Sequence, residues 1–457
     1  MNASLAADLH RLLGPQGFID DSERCAAYGG DYSAELACPP LAVARPKNSE
    51  QAAQLISYLY RVGQPMTLRG AGTGKAGGCV PSEGSIVICS ERMNAAPQLS
   101  AQDLTLRAPS GLIAAELDRC AAEVGLFYPP DPNSLTISSI GGNVATNAGG
   151  PRALKYGLTG HYLLGLTYIG ADGALIKAGS RSIKCVAGSN LSGLMLGSEG
   201  CFGLITEVTM RLIPRPRCIQ TALITFDSST SAVAAVGNLF ACGVLPRTAE
   251  LLDELSCETI KQSSSHALPA SCKAALILET DGSEEQAMDD LVTLARACEQ
   301  SAKVEVLLAQ NSAERERIWA PRRLLSEAFR ARRAFKVSED IAVPRGLLSE
   351  ALSQLRAAAV QTPFEVATYG HAGDGNLHVN ILYDEQHQRP EVEALQDEVF
   401  RIAIGLGGTI TGEHGVGLAK RHALPWELGA ARMNTERALK SAMDPKNLFN
   451  PGKVLEP

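Results

Sequence analysis

Apolar positions recur along the chain in two rhythms. Leu5, Leu9, Leu12 and Leu13 fall three and four apart, which predicts an amphipathic helix over 2–14. A second helical stretch follows Asn48 or Ser49 as N-cap, with Ala52, Ala53, Ile56, Leu59 and Tyr60 on one side. Short apolar runs predict strands at 66–69 and 85–89, a helix at 112–124, and a hairpin of 163–170 with 174–178 that turns at Asp172-Gly173. Glycine-rich tracts at 70–78, 140–150 and 197–203 interrupt them, and the last leads into a strand at 204–212. Pro214-Arg215-Pro216-Arg217 can continue neither helix nor strand and marks a domain boundary. Beyond it, strand-like 221–226, helix-like 230–239, strand-like 274–279 and a helix over 283–302 alternate as a ferredoxin-like α+β unit would. A charged helix over 311–333, interrupted at Pro321, a helix over 344–359 and a strand at 365–369 complete the pattern.

Composition narrows the class. The 457 residues are 45% apolar and 20% charged, and 42 basic against 49 acidic side chains leave a net charge of −7. This is globular, long enough for several domains, and offers no basic surface for nucleic acid. The twelve cysteines contain no C-x-x-C pair and none follows Cys298. That excludes a cysteine-ligated zinc finger or ferredoxin cluster and suits buried thiols in a reducing cytoplasm. The first 17 residues lack the basic-then-apolar order of a signal peptide. No apolar run approaches the ~18–20 residues of a membrane span. A cytoplasmic protein is expected, at most peripheral to the inner face of the membrane through a partner.

The first glycine tract contains Gly72-Thr73-Gly74-Lys75-Ala76-Gly77, which matches G-x-G-x-x-G, with Glu91 about 20 residues on. A dinucleotide site of that kind needs a helix opening at the glycines, and Pro81 and Gly84 follow too soon. Ala76 after Lys75 also excludes a Walker loop. A strand–loop–strand remains, whose exposed amides can wrap an anion. Three such tracts within about 140 residues point to one extended ligand gripped mainly by main chain.

Three of the eight histidines fall in two motifs, Gly370-His371-Ala372-Gly373-Asp374-Gly375-Asn376-Leu377-His378 and Gly412-Glu413-His414-Gly415. A two-residue type I′ turn at Asp374-Gly375 would set His371 directly opposite His378, with Cβ atoms ~4.5–5.5 Å apart. Two imidazoles and a carboxylate make an open site for a divalent ion, and Glu413 is the candidate third ligand. His414 points elsewhere on an extended chain and suits a general base near neutral pH.

On these residues the chain resembles the vanillyl-alcohol-oxidase-type flavoenzymes. Arg69-Gly70-Ala71-Gly72-Thr73-Gly74 resembles their pyrophosphate loop. Pro130-Asp131-Pro132, Ser138, Gly141-Gly142-Asn143, Asn147, Gly149, Gly197, Glu199-Gly200 and Ile205 resemble their adenine, ribose and isoalloxazine contacts. The resemblance implies an α+β protein with a two-lobed FAD-binding domain at 1–214, a ferredoxin-like substrate and metal cap domain at 215–425, and a C-terminal segment, 426–457, returning to the FAD domain. No His or Cys lies in 70–74, so dissociable FAD is expected, with Cys79 a packed thiol.

The two histidine motifs, together with Met443-Asp444-Pro445-Lys446-Asn447-Leu448-Phe449-Asn450-Pro451-Gly452-Lys453, resemble the FAD-linked 2-hydroxyacid dehydrogenases: the glycolate oxidase flavin subunit, flavin D-lactate dehydrogenases and D-2-hydroxyglutarate dehydrogenase. The resemblance covers about 41–454 and adds Asn450 to the cofactor contacts. It implies that His371, His378 and Glu413 hold zinc, with manganese or iron as alternatives. It also makes His414 the base, lets Asn376 orient substrate, and gives Arg322 of Trp319-Ala320-Pro321-Arg322 the substrate carboxylate. Where the 2-hydroxyglutarate enzymes carry a lysine two residues before the following Asp, this chain has Ser338 before Asp340, and Lys336 is displaced. That favours glycolate or D-lactate over a second carboxylate. D-2-hydroxyglutarate oxidation, a flavin oxidase of another alcohol, and a flavin-binding subunit dependent on a partner remain as alternatives. The electron acceptor is left open among quinone, an electron-transfer protein and an iron–sulfur partner subunit, and the assembly between a homodimer and a hetero-oligomer.

Overall fold

A computed structural model describes residues 3–33, 36–263, 268–302 and 304–455. Position 2 of the expected first helix lies outside the described residues, as do 1, 456 and 457 at the ends of the expected domains. The chain forms two compact units, one of Met1–Gly149, Leu158–Arg215 and Glu413–Pro457, the other of Gly150–Gly157 and Pro216–Gly412. Among the described residues no helix is long and apolar enough to cross a membrane.

Among the described residues the first unit has two larger sheets and a two-stranded ribbon of Leu126–Phe127 with Ile213–Pro214. In the smaller, Met66–Arg69 and Ala42–Ala44 flank Ile86–Cys89 in parallel, and Phe18–Ile19 adds an antiparallel edge. The helix Ser49–Val62 covers it because its apolar stripe, Ala52, Leu55, Ile56 and Leu59, is wholly buried. Asn48 caps that helix by accepting Gln51 N–H at 3.0 Å. The larger sheet is antiparallel, in the order Gln98–Ser100, Thr105–Pro109, Leu204–Arg211, Leu163–Ile169, Leu175–Gly179. The end of the chain closes the smaller sheet's core: Met66 N–H donates to Leu448 O at 2.7 Å, and Phe449 is fully buried among Leu55, Leu59 and Ile88.

The second unit is built on one seven-stranded antiparallel sheet. Its strands are Cys218–Phe226 (β1), Thr248–Leu252 (β2), Ala274–Gly282 (β3), Glu305–Leu308 (β4), Phe335–Ala342 (β5), Glu365–His371 (β6) and Asn376–Tyr383 (β7). They lie in the order β4-β1-β3-β2-β6-β7-β5. With the helices Ser229–Ala241 (α1) and Glu284–Glu299 (α3), the first four strands form the βαββαβ ferredoxin-like unit in the order 4-1-3-2, extended by three more strands. The helices Glu254–Ser263 (α2) and Ser312–Arg332 (α4) pack through Ile260, Trp319, Leu325 and Phe329 on one core with Leu252, Ile277 and Tyr369. The short Gly150–Gly157 segment is fastened here by Asp281, which accepts Lys155 Nζ at 2.5 Å and Tyr156 OH at 2.7 Å.

Three departures from the pattern reading bear on the site. The second glycine tract, read only as an interruption, holds a helix over Ile140–Thr146, capped by Ser139, which accepts Gly142 N–H at 3.3 Å, and ended by Asn147 at φ +50°. Two glycines mask its periodicity, and the caps decide. The helix α4 runs through Pro321 without interruption, because Trp319 and Arg322 around it are anchored to the sheet. The strands β2 and β5 went unpredicted, since Glu250, Glu339 and Asp340 sit inside them as buried charges.

Truncating Phe449 to Ala should cost the first unit about 3–5 kcal/mol by emptying a core position. Denaturant unfolding of purified protein checks this, and an unmoved transition would show that the C-terminal segment does not carry that core.

Candidate active site

In the first unit the three glycine tracts are tied to one another by main-chain groups and by the side chains of Ser139 and Asn450. Ala71 N–H donates to Ser139 Oγ at 3.2 Å, so the first loop is fixed to the cap of the Ile140–Thr146 helix. The carboxyl end of that helix holds the third tract: Val144 O accepts Gly197 N–H at 3.0 Å and Ala145 O accepts Glu199 N–H at 2.8 Å. Asn450 joins the first and third tracts. Its Oδ1 accepts Leu68 N–H at 2.8 Å, and its Nδ2 donates to Gly78 O at 3.3 Å and Glu199 O at 2.6 Å. Arg69 serves the loop itself, donating to Gly30 O at 2.7 Å and Cys79 Sγ at 3.4 Å, while Gly74 O accepts Tyr32 N–H. Asn147 Oδ1 accepts Gly160 N–H at 2.9 Å, Gly141 N–H donates to Ser110 O at 2.8 Å, and Ile205 pairs with Tyr168 in the larger sheet. The loop 70–78 opens no helix.

A large ligand with many acceptors fits this assembly. Ser138 Oγ, Asn143 Nδ2 and Ser198 Oγ are buried in the tracts with no hydrogen-bond partner among the described residues. Buried polar atoms are rarely left so unless a ligand or water completes them.

In the second unit the register brings the polar residues to one face of the sheet. Thr221, Glu279 and Thr248 stand opposite one another, as do Leu252, Tyr369, His378 and Asp340. Glu250, His371 and Asn376, each an even number of places along, share that face. His371 does not stand directly opposite His378. It pairs with Asn376, and His378 pairs with Tyr369. The turn spans four residues rather than two: His371 O accepts both Asp374 N–H at 3.2 Å and Gly375 N–H at 3.1 Å, and Gly375 takes φ +87°. The shift is two places, so both imidazoles keep their face and meet diagonally, ring centroids 5.2 Å apart at 83°.

Each ring is backed by a buried carboxylate that the motifs did not reveal. Glu250, fully buried, receives His371 Nδ1–H on one oxygen and Arg322 Nε–H at 2.6 Å on the other. Burial alone would raise its pKa, but the charges of His371 and Arg322 outweigh this and hold it down to about 2. Asp340 Oδ1 lies 3.7 Å from His378 Nδ1 and accepts Asn376 Nδ2–H at 2.6 Å. Asn376 Nδ2 also donates to Ile341 O at 2.8 Å. The His371 imidazole, its Nδ1 hydrogen-bonded to Glu250, has the arrangement usual for a metal-bound histidine, whereas Asp340 at 3.7 Å is a charged neighbour of His378 rather than a hydrogen-bond partner.

The same face anchors Trp319-Ala320-Pro321-Arg322. Three places apart on a helix, Trp319 and Arg322 project together. Trp319 Nε1–H donates to Glu279 Oε1 at 2.8 Å, and Arg322 takes Glu250 with its guanidinium carbon 4.5 Å from the centre of the Tyr369 ring. Glu279 is matched by Arg247 at 3.2 Å, and Arg247 also meets Asp281 at 2.5 Å.

Glu413 and His414 are the first residues past this unit. Gly412 lies against Asn376, whose Nδ2 a Cβ at Gly412 would overlap, and the Glu413 Cα is one peptide further, about 3.8 Å away. Within the first unit, a Cβ at Gly149 would meet Glu413 Oε2 at 2.8 Å.

The profile described as FAD linked oxidases, C-terminal domain, matches residues 215–454, and that described as FAD binding domain matches 40–179. The chain is 35% identical over 448 residues to the glycolate oxidase subunit GlcD of Bacillus subtilis, covering 98% of this chain and 95% of that one. It is 31% identical to a D-lactate dehydrogenase of Anaerostipes hadrus, covering 91% and 89%. It is 28% identical to a D-2-hydroxyglutarate dehydrogenase of Stutzerimonas stutzeri, covering 99% and 98%. Among solved structures, p-cresol methylhydroxylase with substrate bound shares the fold at a TM-score of 0.82 with 14% identity, over 99% of this chain and 96% of that one.

Removing the shared carboxylate leaves charge buried without a partner. Glu250→Ala should cost about 3–5 kcal/mol, whereas Glu250→Leu with Arg322→Met should cost clearly less. Unfolding free energies of the three proteins decide it; equal losses would show that the pair is not coupled.

Proposed function

The chain belongs to the FAD-linked oxidases and oxidises 2-hydroxy acids to 2-oxo acids, and we propose from that premise that it acts on a small monocarboxylic acid such as glycolate or D-lactate through a metal-assisted site with a histidine base. The observation that carries the metal half is the pair His371 and His378, diagonal on one sheet face and each beside a buried carboxylate. On this reading the first unit is the FAD-binding domain, the Pro216–Gly412 unit is the substrate domain, and the C-terminal segment belongs with the former.

FAD, held without a covalent tether, supplies the two-electron acceptor for the Cα hydride, and a divalent ion, zinc or else manganese or iron, supplies a Lewis acid for the hydroxyl. His371, His378 and Glu413 would hold the ion. Arg322 takes the substrate carboxylate, its plane set by the Nε bond to Glu250 and by Tyr369 beneath it. His414 removes the hydroxyl proton, and Asn376, fixed on Asp340, orients the substrate. The loop 69–74, Pro130-Asp131, Ser138, 141–143, Asn147, Gly149, Gly197, Glu199-Gly200, Ile205 and Asn450 line the FAD site.

The residues before Asp340 favour a substrate with one carboxylate. Ser338 and Lys336 alternate with Asp340 on the same face, and Lys336 Nζ donates to Ser326 Oγ at 2.6 Å. Electrons taken from the substrate would leave to a separate acceptor, which we place among quinones, electron-transfer proteins and iron–sulfur subunits. All twelve cysteines are free, which suits a cytoplasmic setting.

Anaerobic addition of glycolate, D- and L-lactate and D-2-hydroxyglutarate, with flavin absorbance as readout, tests the substrate. Bleaching by a short 2-hydroxy acid is expected; bleaching by D-2-hydroxyglutarate alone would reverse the size assignment. His414→Ala should retain FAD and lose at least ~10²-fold in the rate of bleaching, and a normal rate would remove it as the base. Chelation should stop bleaching with FAD still bound, and an indifferent enzyme would contradict the metal.

A further inference from the structure

Short polar turns that carry chemical groups need something other than a core to hold them still. The turn Gly412-Glu413-His414-Gly415 has no apolar side chain. Its two ends are nevertheless fixed, each by a carboxylate. At the leading end Asp340, fully buried, accepts Gly412 N–H at 2.9 Å and the Thr411 hydroxyl at 3.1 Å on Oδ2, while Oδ1 accepts Asn376. At the trailing end Glu199 accepts Val416 N–H at 2.7 Å on Oε1 and Gly417 N–H at 2.9 Å on Oε2. Two successive amides thus meet the two oxygens of one carboxylate, a fork that only an acid side chain supplies.

Glu199 is itself immobilised. Its N–H donates to Ala145 O and its carbonyl accepts Asn450 Nδ2, and its backbone sits at φ +48°, where a residue with a side chain persists only under constraint from its surroundings. The turn leaves space for the carboxylate: Gly415 takes φ +84°, and a Cβ there would lie 2.9 Å from Glu199 Cδ and Oε1. Burial pushes the Glu199 carboxyl up to about 7, against the two amides that favour its ionised form.

We propose that Glu199 and Asp340 are positioning residues that clamp the 412–417 stretch at its two ends and thereby aim Glu413 and His414. This rests on the reading of Glu413 as ligand and His414 as base. Glu199 therefore faces the turn through its side chain while its main chain belongs to the third glycine tract, so one residue couples the proposed cofactor wall to the catalytic turn. Glu199→Gln replaces one acceptor by an NH2 group facing an N–H and opens half of the fork. Asp340→Asn does the same at the other end.

The test uses the FAD-loaded protein and two readouts. Amide hydrogen exchange of 412–417 reports the clamp without reference to activity: Glu199→Gln should speed exchange at Val416 and Gly417, and Asp340→Asn at Gly412. Anaerobic flavin reduction by the best acid of the panel reports its consequence. Each variant should lose ~10²-fold in the limiting rate, the scale set by misplacing a reacting group by about 1 Å. FAD content should stay whole in both, and in Glu199→Gln half-saturation should hold within about threefold, a split that general loosening of the fold would not give. Unchanged exchange, or faster exchange with an unchanged rate, overturns the proposal, as does loss of FAD from Glu199→Gln with a normal rate once FAD is restored. Should one variant fail to fold, the other tests its own end of the clamp. A wild-type protein that no 2-hydroxy acid reduces overturns the functional reading instead, and the exchange readout then decides the clamp alone.

Discussion

A carboxylate in a protein interior must be matched by positive charge and hydrogen bonds, since the cost of desolvating it is several kcal/mol. Glu250 sits fully buried in the middle of a seven-stranded sheet, and its two oxygens are divided between Arg322 and His371. That division settles more than charge. It assigns Nδ1 of His371 to Glu250, and it fixes the plane of the guanidinium on the helix Ser312–Arg332. The helix can make this contact because Trp319, one turn earlier, rests on Glu279. Leu325 and Phe329, one and two turns later, fill the apolar half of the same sheet face. The dry core beside the polar half lowers the local dielectric and makes each of these ion pairs stronger. Packing and electrostatics are thus one arrangement here.

The first unit solves a different problem by a different means. A long cofactor with phosphates, ribose and a flat ring system presents mostly acceptors and faces, and backbone amides with small side chains suit both. The three tracts are distant in sequence, so they need cross-ties to act as one surface. Ser139, the last carbonyls of the Ile140–Thr146 helix and Asn450 supply them. Asn450 arrives only after the chain has built the whole second unit, and Phe449 beside it completes the first unit's core. The segment that completes the first unit's core thus also ties two of its glycine tracts together.

How far the sequence could be read follows from these two strategies. Glycine tracts and the paired histidines are local, and they pointed to a main-chain cradle and to two imidazoles on one face. The facing was right although the pairing was two places off, because a shift of two preserves parity in a strand. The ferredoxin-like unit was legible where its strands are apolar and its helices amphipathic, as at Cys218–Phe226 and Glu284–Glu299. Glu250, Glu279 and Asp340 were not, since each is an acid inside a strand whose partners lie between 32 and 121 positions away. A charge inside an apolar run is the one signal that could have found them: Ala249-Glu250-Leu251 and Leu278-Glu279-Thr280 are such interruptions. The Ile140–Thr146 helix was hidden for the opposite reason, as its caps rather than its interior specify it.

The same logic accounts for why the two histidines and the Glu-His turn are supported so differently. His371 and His378 stand on strands, where ladder hydrogen bonds fix the backbone and a carboxylate need only orient the ring. Glu413 and His414 have no ladder, and the turn's glycines remove even the steric limits that other residues would impose. Without apolar side chains to bury, backbone amides are the handles this turn offers, and the acceptor that binds an amide most strongly is a carboxylate. Asp340 takes the Gly412 amide before the turn, and Glu199 takes the Val416 and Gly417 amides after it. Precision in a segment with no core of its own is reached by anchoring its ends to groups that are themselves buried and paired.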